Sequence, residues 1–551
     1  MKKRILFVSE FTGLNTGYSV YTHELMKRLH ASQKYELAEL ACYCPHDFAV
    51  NTIPWKVYPN LPNPNDAQQR SMYESNPSAE FGEWKFEQVC IEFKPDIVCS
   101  IRDFWMDAWI DISPFRRFYK TVMMPTVDGT PQHADWIDLY KNTDTVLTYN
   151  DWSLDLLRKE GGGLINLHKS APPSADTEHF KFIDNKRDHK SKLGIDPDTF
   201  IIGMVARNQR RKLYPDLADA FKLLMSRLSP EKREKTFLYW HTAHPDLGWD
   251  IPKYIKNNGL SSKILFSYVC QNCKFFAPSF YKDVRTVCPR CKTGNMVFPF
   301  AQSGINREEL GVVMGLFDVY VQYVTNEGFG LPIVEAAFCG SPVFATDYSA
   351  MEDTLEKLGC FKIKPKTLIY ECETGRKLAI PDNEDFVDQL YTYMNYPESI
   401  RNRYRNQVYN LAKKHYSSWD EIANIWIEAI DKTPNSNIQW NAPPNMIPGI
   451  QEIPNPEQMP DEKFTTWAIK NVMGSVSMAN RFIGLKMYRD ILWGRTNDSR
   501  PEAIYGDMSQ LGFRPKYAPM DRRKLVENLN RFRDKNNFWE NIRWQQIGGN
   551  K

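Results

Sequence analysis

The chain has no run approaching the roughly 20 consecutive apolar residues that a membrane-spanning helix needs. It also lacks an excess of charge of either sign. Its 70 Lys and Arg stand against 67 Asp and Glu, and the formal net charge of +3 is too small by itself to imply a polyanionic partner. The opening Met1-Lys2-Lys3-Arg4-Ile5-Leu6 is a basic turn into a first strand, without the apolar core and cleavage site of a signal peptide. Internal repeats are absent, and so are low-complexity tracts apart from one proline-rich stretch. The expectation is a soluble protein of the cytoplasm, or of a host cytoplasm if the source is viral. What remains is a chain of 551 residues, 42% hydrophobic and 25% charged, long enough for two α/β domains with additions.

Cysteine is sparse, and most of it is scattered, but four of the 11 form Cys270-Gln-Asn-Cys273 and Cys288-Pro-Arg-Cys291. Two C-x2-C knuckles separated by 14 residues present four thiolates to a tetrahedral zinc ion. A disulfide pair is the alternative, and a reducing cytoplasm disfavours it. A closed four-Cys site is structural, so this metal is not expected to catalyse.

The most informative segment is Glu327-Gly-Phe-Gly-Leu-Pro-Ile-Val-Glu335, in which seven residues separate two carboxylates. It follows a strand-like stretch from Phe317 to Tyr323 and turns through Gly328 and Gly330. Pro332 suits a first helical turn, and the helix runs from Ile333 to Cys339 until Gly340 stops it. Glu327 then lies on the loop and Glu335 near the helix start, with the amides of Phe329, Gly330 and Leu331 facing the same space. Carboxylates suit vicinal hydroxyls and helix-start amides suit a phosphate. A nucleotide sugar offers both. Taken singly, Glu335 could merely complement the helix dipole and the glycines merely turn the chain.

The whole run resembles the E-x7-E segment of retaining glycosyltransferases of the two-domain GT-B architecture, especially glycosyltransferase family 4. The resemblance covers roughly residues 1 to 430. It implies an α/β fold of two Rossmann-like domains facing across a cleft. In that family the first Glu contacts the donor sugar, the loop amides hold it, and the second Glu contacts the ribose, roles that fall here to Glu327, Phe329 to Leu331, and Glu335. The strand Phe200 to Ala206 runs into Arg207-Asn-Gln-Arg-Arg-Lys212 and a helix from Pro215 to Leu228, similar to the family's Arg-x4-Lys pair, so Arg207 and Lys212 are the expected diphosphate clamp. A solvated basic turn is the alternative.

At the amino terminus the strand Arg4 to Ser9, the turn Thr12 to Gly17 and a helix from about Ser19 to Leu29 place Gly17 where backbone can approach a ligand. The glycines match no strict dinucleotide fingerprint and also read as plain turn residues. The strand Thr121 to Thr126 leads to Asp128 and His133, and the family's usual His near this strand end is replaced here by Asp128. Either residue could touch the sugar, or they are a turn-capping Asp and a surface His. The segment Pro172 to Phe180 resembles the interdomain motif, with Pro-Ser in place of its usual His-Gly. The resulting division is an acceptor domain over 1–175, a donor domain over 176–415 with a zinc-ribbon insertion at 268–300, a crossover helix over 416–433, a proline-rich strap over 434–463, and a helical basic extension over 464–551.

The ribbon falls between the strand Lys263 to Ser267 and the helix Arg307 to Gly315, and it mixes Lys274, Arg290 and Lys292 with Phe275, Phe276 and Tyr281. It either contacts nucleic acid or packs on its host or a twin subunit, which would make a homo-oligomer. From Asp521 to Lys551 eight Lys or Arg stand against four Asp or Glu, which fits an acidic acceptor or simple packing on the scaffold. The implied activity is transfer of a hexosyl or pentosyl group from a nucleotide-sugar, with retention and without a catalytic metal. The acceptor is either a glycan or lipid-linked glycan, or a hydroxymethylated base in phage-type DNA. The alternative is a catalytically silent scaffold that binds or assembles partners through its ribbon and carboxy-terminal helices.

Overall fold

The computed structural model describes residues 2–436 apart from 77, 112, 283–285, 301–303, 373 and 417, together with 440, 455–458 and 460. The expected extension over 464–551 and most of the proline-rich strap lie outside the described residues.

The first half alternates strand and helix: β1 (Lys3–Glu10), α1 (Gly17–Ala31), β2 (Tyr35–Cys42), β3 (Lys56–Pro59), α2 (Ala67–Glu74), α3 (Glu83–Phe93), β4 (Ile97–Arg102), α4 (Phe104–Asp111), β5 (Lys120–Pro125), α5 (Ala134–Asn142), β6 (Thr145–Thr148), α6 (Asp151–Glu160) and β7 (Leu167–Ser170). These strands form one parallel sheet in the order β3-β2-β1-β4-β5-β6-β7. A parallel sheet covered on both faces needs continuous apolar strands, and Ile5 to Val8 are all fully buried. Thr16 caps α1 by accepting from the Ser19 amide.

The second half continues with α7 (Lys186–Lys192), β8 (Phe200–Val205), α8 (Tyr214–Arg227), α9 (Pro230–Glu234), β9 (Thr236–His241), α10 (Ile251–Asn257), β10 (Ile264–Cys270), β11 (Phe276–Phe280), β12 (Met296–Val297), α11 (Arg307–Gly315), β13 (Val319–Gln322), α12 (Leu331–Phe338), β14 (Val343–Thr346), α13 (Met351–Leu358) and β15 (Phe361–Ile363). Its sheet runs β11-β10-β9-β8-β13-β14-β15, with β12 also on β10. All pairs are parallel except those of β11 and β12 with β10. A hairpin of β16 (Pro365–Tyr370) and β17 (Lys377–Pro381) follows, then α14 (Asn383–Asn395), α15 (Glu398–Tyr416) and α16 (Trp419–Lys432).

These are two Rossmann-like α/β domains. In each sheet the strand order reverses once, between β1 and β4 and between β8 and β13. Open α/β sheets bind ligands beyond the carboxyl ends of the strands at such switch points. The last helix returns to the first domain. Trp426 is fully buried there, its indole donating to the Tyr21 hydroxyl at 3.0 Å, while Lys3 Nζ donates to the carbonyls of Ile430 and Thr433 at 2.9 and 3.0 Å. Those two acceptors lie on the last turn of α16, where a cation also meets the negative end of the helix dipole. Among the described residues no helix is long and apolar enough to cross a membrane.

Trp426→Ala removes the largest side chain of this return contact and is expected to destabilise the protein by about 3–5 kcal/mol. A urea unfolding midpoint unchanged from wild type would show that α16 is not held through Trp426.

Candidate active site in the interdomain cleft

The second-domain edge of the cleft is built by a short zipper. Leu213 donates its amide to the Tyr323 carbonyl at 3.1 Å and Thr325 donates to the Arg211 carbonyl at 3.0 Å, so the segment after β8 lies antiparallel to the segment after β13. That pairing brings Arg211 and Lys212 onto Glu327. Arg211 donates to Glu327 Oε2 at 2.7 Å and to the Asn326 carbonyl at 3.0 Å, while Lys212 Nζ and Gln322 Nε2 both donate to Glu327 Oε1. Glu327 is 7% exposed. Burial pushes its carboxyl up, but Arg211 and Lys212 outweigh that and hold it down at about 2. Lys212 is shifted the other way: burial and the Arg211 charge lower it to about 8, with Glu327 opposing.

Gly330 takes φ +83° as the N-cap of α12, a left-handed conformation that favours glycine. Among the described residues the amides of Phe329 and Gly330 donate to no protein acceptor. The edge therefore offers two cations, a carboxylate and open amides at one switch point, the requirements of an anion next to hydroxyls.

The sequence paired Lys212 with Arg207, and the structure pairs it with Arg211. Arg207 is half exposed and holds Asp246 at 2.9 Å, although its charge still reaches Glu10 of the first domain. Glu335 is 2% exposed and forms an ion pair with Arg307 at 2.7 Å, whose guanidinium lies 4.7 Å over the Phe180 ring. The two carboxylates of the E-x7-E run thus have different cationic partners. Gly17 is the first residue of α1, with open space where a Cβ would stand. His133 precedes α5 and packs against Trp136, ring centroids 6.0 Å apart.

Asp128 is one of the first-domain residues that cross the cleft. It accepts from Asn326 Nδ2 at 2.7 Å and from Arg376, which the β16–β17 hairpin carries. Burial lifts its carboxyl to about 6, Arg376 opposing and Asp103 reinforcing. Asn150 donates to the Gly328 carbonyl at 3.0 Å, and Lys377 donates its amide to the Thr130 carbonyl at 2.9 Å. A Cβ on Gly328 would lie 2.4 Å from Thr126 Cγ2, so glycine is needed there for the donor loop to touch the first domain. Arg211 and Arg376 escape sequence reasoning because Glu327 and Asp128, which they meet, lie more than 100 positions away.

The four knuckle cysteines come together as their spacing predicts, with all sulfurs within 4.8 Å of one another. Cys270 and Cys291 Sγ are 3.6 Å apart and Cys273 and Cys288 Sγ 3.7 Å apart, far beyond a disulfide bond. A tetrahedron with Zn–S bonds of about 2.3 Å has sulfur edges of about 3.8 Å. Backbone amides of Cys273, Arg290 and Gly294 donate to Cys270, Cys288 and Cys291, as thiolates require. Lys274 and Lys292 follow the two knuckles with φ of +58° and +59°, which closes both turns the same way. The donor set fits zinc. Cys270 is the last residue of β10, and Phe275, Phe276 and Tyr281 pack on the second-domain core, which favours host packing over nucleic-acid contact for the ribbon's aromatics.

No family's sequence profile matches this chain, and no curated protein does. Solved structures do. Sucrose-phosphate synthase from Thermosynechococcus elongatus superposes with a TM-score of 0.57 at 14% identity, covering 78% of this chain and 99% of that one. HepE from Anabaena in complex with UDP and glucose gives 0.52 at 14%, covering 78% and 99%. WaaG, a glycosyltransferase involved in lipopolysaccharide biosynthesis, gives 0.50 at 13%, covering 77% and 99%. At these identities what is shared is the fold, two facing Rossmann-like domains of the GT-B type.

Gly328→Ala is expected to destabilise the closed arrangement by about 1–3 kcal/mol, and Thr126→Ser, which deletes the clashing methyl but keeps the hydroxyl, is expected to recover most of that loss. Losses that simply add in the double variant would show that this approach does not hold the domains together. Elemental analysis of the full chain is expected to find one zinc per four-Cys site, lost in Cys288→Ala together with thermal stability. Metal-free protein with an unchanged melting temperature would remove the structural role.

Proposed function

We propose that the chain is a glycosyltransferase that moves a sugar from a nucleotide-sugar to an acceptor hydroxyl with retention of anomeric configuration. The observation that carries this reading is the convergence of Arg211 and Lys212 on Glu327 beside the open amides of Phe329 and Gly330. In the free protein Glu327 pairs with both cations. A bound diphosphate shares them, and Glu327 turns its oxygens to the hydroxyls of the sugar. Glu335, held by Arg307, takes the ribose on this reading.

The reaction breaks the bond between the anomeric carbon and the diphosphate oxygen while the acceptor oxygen forms its bond on the same face. The acceptor proton passes to the departing phosphate oxygen, and Lys212 and Arg211 stabilise the charge that grows there. Asp128, held by Asn326 and Arg376, accepts a hydroxyl of the transferred sugar from the first-domain side. Zinc takes no part in this sequence and serves to hold the ribbon.

A thermal-shift screen against nucleotide sugars tests the reading, with UDP-sugars first because HepE is seen in complex with UDP and glucose. Wild type is expected to be stabilised by one donor, and Lys212→Met to bind it about tenfold or more weakly, the loss of a charge-assisted contact. Affinity for the nucleoside diphosphate is expected to fall as pH rises through about 8, because Lys212 is charged below that value and neutral above it. If no nucleotide sugar stabilises the protein, the scaffold reading replaces this one.

A further inference from the structure

The two facing edges of the cleft differ in their cations. On the second domain, Arg207, Arg210, Arg211 and Lys212 all stand in the segment after β8, where Arg207 pairs with Asp246 and Arg211 and Lys212 pair with Glu327. On the first domain, the segments leaving the carboxyl ends of β1 to β6 are residues 11–16, 43–55, 60–66, 103, 126–133 and 149–150. They contain no lysine or arginine, but they do hold Asp47, Asp66, Asp103 and Asp128; of the strand-end residues, Glu10 closes β1 and Arg102, fully buried and ion-paired with Asp107, closes β4. A phosphate-bearing or nucleic-acid ligand needs cations or free amides where its backbone lies, and this edge presents carboxylates instead.

The switch point between β1 and β4 has further features. Asp103 follows β4, with the hydroxyls of Tyr18 and Thr126 beside its carboxyl. The Tyr18 hydroxyl is 2.8 Å from Thr126 Oγ1. Two residues on, Trp105 is 53% exposed, held edge-on by Phe81 with ring centroids 5.0 Å apart. Tyr149, directly after β6 and 6% exposed, has a hydroxyl with no hydrogen-bond partner among the described residues, although the charges of Asp103 and Glu10 act on it. A buried unpaired hydroxyl is costly unless something supplies its partner. The set comprises carboxylates that accept hydroxyls, one orphaned hydroxyl, and an exposed indole face for an apolar C–H surface.

We infer that the β1/β4 edge is the acceptor subsite and that it takes an uncharged, polyhydroxylated ring, a neutral glycan, seated between Trp105, Tyr149 and Asp103. This rests on the glycosyl-transfer reading above and narrows it: the acceptor hydroxyl enters from an acidic, aromatic wall while the leaving diphosphate stays on the basic one. Tyr149→Phe is the sharpest probe, since deleting an unpartnered buried hydroxyl does not lower stability unless a ligand uses it.

The full chain, saturated with UDP, is applied to an array that displays neutral glycans, phosphorylated and carboxylated glycans, and DNA duplexes with and without hydroxymethylated cytosine. Neutral glycans are expected to give the signal, and both Trp105→Ala and Tyr149→Phe to weaken it about tenfold, with the melting temperature of Tyr149→Phe unchanged or raised. A signal on anionic glycans or DNA that depends on Trp105 overturns the inference, as does the absence of any neutral-glycan signal that depends on it. Melting shifts with the full set of nucleotide sugars on the same preparations separate the two failures. A shift with a failed array sinks only the acceptor assignment, and no shift with any of them sinks glycosyl transfer itself.

Discussion

The buried carboxylate of Glu327 is the constraint around which the second domain's edge of the cleft is arranged. A charge at 7% exposure needs a partner, and breaking a buried pair by removing one side costs far more than an exposed pair is worth. Satisfying it requires Lys212 and Arg211 from the segment after β8 and Gln322 from the end of β13, strands adjacent at the sheet's switch point. The backbone zipper between 211–213 and 323–325 supplies that placement, and the loop that remains leaves the amides of Phe329 and Gly330 without a protein acceptor among the described residues. Fold and site are thus joined by one requirement, which is that the charge must be paired at the edge where the strands stop.

The same logic crosses to the first domain in a weaker form. Asp128 is neutralised by Arg376 and bonded by Asn326, both from the second domain, so the domains meet through groups that face ligand space. Gly328 permits the approach by carrying no side chain against Thr126. The contacts across the cleft at this point are polar pairs, while the apolar cluster common to both domains lies behind them.

The fold class and the metal cluster were legible in the sequence because each rests on local pattern: apolar strands alternating with helical periods, a Pro-led helix after two glycines, and C-x2-C pairs at fixed spacing. Helix α11 falls at Arg307 to Gly315 as the pattern predicts, and α12 starts at Leu331, two residues before Ile333. The strand expected to stop at Ser267 continues to Cys270 because β11 and β12 pair with its far end, a tertiary effect that periodicity does not carry. The site was legible only as a list of residue types. Four cations in six positions after β8 do not reveal which of them turns toward Glu327, and the preference for Arg211 over Arg207 arises from the zipper with the segment after β13. Arg376 and Asp103 are ordinary charged residues until the domains are brought face to face.

The ribbon is not hung beside the second domain but grown from it, since β10 serves both the parallel sheet and the knuckles. Its outer edge is covered by β11 and β12, and both of those strands are secured at the knuckle end by the cysteines that flank them. An uncovered strand edge is a template for pairing with another chain. The four thiols therefore guard solubility as well as shape: whatever keeps them joined also keeps the rim of a large sheet from recruiting its neighbours.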